Sequence, residues 1–99
     1  MLAAATGERL ARYWQQGIKC QLTLPYLNES ALVADYYKDI APDQFDEGYR
    51  RGFDQFNKEF AFSSRMACVT ATMYLKQDAE FIRQLYSSAR PAITRKYGQ

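Results

Sequence analysis

Aromatic rings recur at helical spacing through the middle of this chain. Phe45, Tyr49, Phe53, Phe56 and Phe60, with Gly52 among them, fall three and four residues apart. That interval places them on one face of an α-helix. A face built of rings must be buried against another element, so one helix of this kind requires partners. Pro42 stands just before Asp43, Asp46 and Glu47, whose carboxylates complement the N-terminal dipole of such a helix.

The same reading finds three more helices. Leu10, Tyr13, Trp14, Gly17 and Ile18 trace one face of a first helix over 8–19. Residues 20–27 alternate only partly and lack a second strand to pair with, so they read as a connector with Leu22 and Leu24 turned inward. Asn28 or Ser30 offers a cap for a second helix carrying Leu32, Val33, Tyr36, Tyr37 and Ile40, which ends at Ala41 before Pro42. Ser63 or Ser64 can cap a fourth, unless the third runs straight through. Its apolar positions are Ala67, Val69, Met73 and Leu75, then Ala79, Phe81, Ile82, Leu85 and Tyr86. Lys76-Gln77-Asp78 marks either a kink or the middle of one long helix, and Pro91 marks the stop. The expected fold is all-α, a compact antiparallel bundle or array of about four helices. The expected organisation is one small domain over 1–99, with frayed segments at 1–6 and 92–99.

Composition fits this size class. Hydrophobic residues make up 47% of the 99, too many for a disordered chain. No apolar run approaches a bilayer span. The opening residues lack the charged and apolar regions of an intact signal peptide, while Ala3-Ala4-Ala5 would equally suit a stub beside a cleavage site.

Histidine is absent. That removes the commonest general base and metal ligand, and with them the zinc motifs and imidazole triads. The carboxylate pairs Asp35/Asp39 and Asp43/Glu47 lie on the expected wet side of an acidic stretch, and a solvated face accounts for them. Ser63-Ser64 and Ser87-Ser88 sit outside any nucleophile elbow. The chain is therefore expected to be no enzyme and to carry no cofactor or metal.

Thirteen basic residues against eleven acidic ones give a formal charge of +2. Residues 21–60 hold four basic and eight acidic side chains, whereas 61–99 hold six basic and two acidic. An acidic middle suits a protein partner better than a phosphate track, so nucleic acid is not the expected ligand. Arg90, Arg95 and Lys96 form the better of two weak anion-contact candidates. Arg50 and Arg51 are the other, and acids surround them.

Two further features bear on function. Cys20 and Cys68 fall near the end of the first helix and the start of the fourth, which an up-down-up-down bundle brings to one level. A disulfide is thus sterically reasonable, with two reduced thiols as the alternative. Gly48 and Gly52 lie one turn apart and form a bare strip for close helix packing, either inside the bundle or at an interface.

These features favour a non-enzymatic helical module binding a protein or peptide, of adaptor, chaperone-like or pilotin-like type. Gly48, Tyr49, Gly52, Phe53, Phe56, Phe60, Tyr36 and Tyr37 are its candidate interface, and a homodimer is one form it could take. In size, helix count and a cysteine near each of two helix ends the chain is similar to the disulfide-containing helical pilotins. A bridge would favour a periplasmic or secreted location, and reduced thiols the cytoplasm. The competing expectation is a cytoplasmic helical regulator or inhibitor that binds nucleic acid or an enzyme.

Overall fold

The computed structural model describes residues 2–98. Four α-helices follow one another: α1 (Leu2–Cys20), α2 (Leu27–Ile40), α3 (Pro42–Phe62) and α4 (Ser64–Tyr97). The all-α, four-helix architecture is as the sequence reads. α1 and α3 point one way, and α2 and α4 the other.

The closest pairing is between α1 and α3, which run parallel. Glu8 lies against Gly52, Arg12 bonds Gln55 and Glu59, and Gln15 accepts from Asn57. Small residues make this possible. Ala4 and Glu8 carbonyl oxygens occupy the space that side chains at 48 and 52 would fill. Gly7 returns the arrangement, with its bare face against the Phe45–Tyr49 backbone. The glycine strip is therefore spent inside the molecule, on α1.

α4 runs antiparallel along α1 for its first half. The Cys20–Cys68 bridge, with Cα atoms 5.4 Å apart, joins the end of α1 to the start of α4. Further along, Arg9 faces Asp78 at 3.9 Å. The second half of α4 packs beside α2, where Tyr97 Oη donates to the Asp39 carboxylate. Leu10, Tyr13, Val33, Ala34, Phe45, Ile82 and Ile93 form the shared core.

Four expectations need correction. α1 begins at Leu2, not at 8: the alanine run favours helix, and Ala3 and Thr6 are buried. Neither Asn28 nor Ser30 caps α2. Tyr26 holds that place in a left-handed conformation. Ser30 is wholly buried instead, its hydroxyl accepting from Trp14 Nε1 at 2.9 Å and donating to the Leu27 carbonyl at 2.6 Å.

Third, α4 takes the unbroken alternative at 76–78 and does not stop at Pro91. Pro91 is on the solvent side, where a lost backbone bond can be made good by water, and the helix continues to Gly98, whose left-handed φ of 70° closes it. Fourth, 2–6 and 92–97, expected as frayed segments, are helical. Ile93 is core and Tyr97 is tied to α2; Met1 and Gln99 lie outside those residues. The cap of α4 is Ser63, which accepts from Met66 N at 3.2 Å.

Candidate functional site

α1 ends in a tight turn that shapes its surroundings. Gln21 takes a left-handed φ of 56°, and Leu22 N returns 3.1 Å to the Gly17 carbonyl, as in a Schellman motif. The connector then doubles back along α1. Leu24 lies over Gly17, so close that a Cβ there would sit 2.6 Å from its Cδ1. Tyr26, also left-handed at φ 59°, turns the chain into α2. Tyr13 Oη donates to the Pro25 carbonyl and pins the end of the connector.

This doubling back leaves a groove of about 510 Å³ between the end of α1, the connector, the start of α2 and the middle of α3. Trp14, Ile18, Leu22, Leu24, Leu27 and Tyr49 line it. Its lining is mostly apolar yet open to water, with Ile18 68% and Leu27 53% exposed. Trp14 is held by its bond to Ser30 and by Tyr49, whose ring centre is 6.0 Å away. Phe53 stacks on Tyr49 at 6.4 Å and is 39% exposed, extending the apolar surface along α3. Rigid rings beside aliphatic side chains suit an apolar peptide segment.

The sequence-derived interface set divides at this point. Tyr49 and Phe53 belong to the groove region. Gly48, Gly52 and Phe56 are buried between α3 and its neighbours. Phe60 is half-buried beside Phe56, with Lys19 Nζ over its ring. Tyr36 and Tyr37 meet edge to face at 5.3 Å beside Leu85 and Ala89 on α4, away from the groove. Arg90, Arg95 and Lys96 are all exposed on α4. Helical geometry points them in three directions, so they form no single basic face.

Two features are faint in the residues alone. The connector leucines turn inward as expected, Leu24 against the core, but they also line an open groove; their alternation with polar residues is the available signal. On α4, Ala67 and Ala71 face the core while Met66, Val69 and Met73 face water, with Phe62, 93% exposed, just before them. Expecting Val69 and Met73 inside was wrong because small residues bring α4 close to α1 and leave no room there for larger ones.

A second, smaller cavity of about 180 Å³ lies between α1 and α4. Arg9, Arg12, Gln16, Thr70, Tyr74 and Asp78 make it polar. Gln16 Oε1 is buried there without a protein partner. Burial pushes the Asp78 carboxyl above its ordinary range, against the opposing pull of Arg9, a bond from Gln16, and Arg12. Burial also raises the Tyr13 phenol to about 12, with Asp78 and Tyr26 adding to the effect. Such a space suits a few bridging waters. Among the described residues no group of three or more metal-ligating side chains converges. No described helix is long and apolar enough to cross a membrane. No family model, curated protein or solved structure matches the chain significantly.

Proposed function

We propose that this chain is a non-enzymatic helical interaction module that holds an apolar peptide segment of a partner protein. The open groove between α1, the connector and Tyr49 carries this reading, because it exposes large apolar side chains on a scaffold tied at both ends. The closed Cys20–Cys68 bridge supports work in an oxidising compartment, as a periplasmic or secreted adaptor or chaperone-like module.

Trp14, the single tryptophan, lines the groove and reports on it. A random peptide library panned on the oxidised protein should enrich sequences with two or three large apolar residues. Those peptides should shift Trp14 emission to the blue. Leu27→Glu, at an exposed position, should weaken them by at least ~10-fold without lowering Tm. Enriched peptides that bind Leu27→Glu equally well, or no enrichment at all, would remove this reading.

A further inference from the structure

Met66, Val69 and Met73 stand in line on the outward face of α4, all exposed, with Phe62 at the junction just before them. Their spacing, three residues and then four, is that of the seam of a two-stranded coiled coil. The next position of the same repeat is Lys76, and Arg65 flanks the start of the line. From 60 to 77 the chain carries these two cations and no carboxylate side chain. The acids that flank this stretch, Glu59 and Asp78, already face Arg12 at 3.1 Å and Arg9 at 3.9 Å. The Cys20–Cys68 bridge anchors this part of α4 to α1, so the face is held in shape before any partner arrives.

We propose that this face docks an acidic amphipathic helix of another protein, separately from the groove. Leucine-like side chains would interleave with Met66, Val69 and Met73, and carboxylates would meet Arg65 and Lys76. Charge disfavours a second copy, because the one carboxylate in line with this face, Glu80 a turn beyond Lys76, is already bonded to Arg83 at 2.7 Å. Shape argues against a lipid surface. The apolar line is one residue wide and bordered by Thr70, Thr72 and Gln77, whereas interfacial helices present a broad apolar side. Methionine adapts to varied apolar partners, which fits such a role.

The probe is a three-heptad peptide with leucine at a and d and glutamate at e and g, too acidic to pair with itself. Its match carries lysine at e and g. The glutamate peptide should bind the oxidised protein at least ~10-fold more tightly than the lysine peptide, and added salt should narrow that gap. Val69→Glu should weaken the glutamate peptide by at least ~10-fold. Arg65→Glu with Lys76→Glu should cost it about fivefold and favour the lysine peptide. Leu27→Glu should leave both unchanged, which separates this face from the groove. Circular dichroism checks that each variant is folded, and Met73→Gln repeats the test with a neutral side chain. Absence of binding, equal binding of both peptides, or binding indifferent to Val69 and Met73 would overturn the proposal. So would a wild-type dimer that Val69→Glu dissociates, or Val69-dependent binding to vesicles of phosphatidylglycerol and phosphatidylcholine.

Discussion

The backbone carbonyl of Ala4 fills the space that a Cβ on Gly48 would need. Backbone cannot move aside as the tip of a side chain can, so Gly48→Ala must push α1 and α3 apart. The expected loss is about 3 kcal/mol, at the upper end of overpacking costs. Gly17→Ala is the comparison, since it meets only the flexible end of Leu24. There the gain in helix propensity offsets the crowding, and stability should change by less than about 1 kcal/mol. Urea unfolding of both variants checks the contrast.

Cys20 and Cys68 are 48 residues apart in sequence. A closed loop of that length lowers the entropy of the unfolded chain enough for about 3–4 kcal/mol of stability. Cys20→Ser with Cys68→Ser should lose about that much. Alkylation of unfolded wild-type protein should label no cysteine without reductant and both after it. Intact mass decides this directly.

Asp78 gives stability an acid-side dependence. Its carboxyl sits above 3.8 in the folded chain, so the folded state holds the proton more tightly than the unfolded one. Its contribution therefore falls as pH rises from 3.8 through the folded value, and the ionised side chain is a net cost at neutral pH. Asp78→Asn should raise Tm at pH 7 and do less at pH 3. Tyr13 acts likewise at the alkaline end: stability should fall between pH 10 and about 12, and Tyr13→Phe should flatten that fall. Thermal unfolding across pH tests both. A lower Tm for Asp78→Asn at pH 7 would show that pairing with Arg9 outweighs burial.

Pro91 interrupts the hydrogen-bond ladder of α4 without ending the helix. It is exposed, so Pro91→Ala should restore the bond to the Ser87 carbonyl and stabilise by about 1–3 kcal/mol. An unchanged or lower Tm would mean that the proline fits a bend the core requires.

Much of the fold was legible because periodicity survives translation into structure. The rings from Phe45 to Phe60 announced α3, Pro42 the break before it, and Ser63 or Ser64 the cap of α4, a place that Ser63 takes. What escaped were decisions made by tertiary packing. Ala3 and Thr6 are buried in the opening turns of α1, and Ile93 keeps α4 going beyond Pro91 because α2 offers it a core. The exposed interface was harder still. Phe56 and Phe53 are both phenylalanines on the same helix, yet one is core and the other borders the groove. Which of them is covered depends on how α1 lies on α3, where Gly7, Gly48 and Gly52 let the backbones approach. Val69 and Met73 share the hydrophobicity of core residues, but the inner face of α4 at that level is made by Ala67 and Ala71.

The bridge between α1 and α4 also makes a ring of the polypeptide from 20 to 68, enclosing α2 and α3. A protease that nicks the exposed turn at Pro25 and Tyr26 would leave both fragments on one molecule, migrating as a single species until a thiol reagent lets them part. Wherever the bridge stays oxidised, damage at that exposed turn is thereby kept from becoming dismemberment.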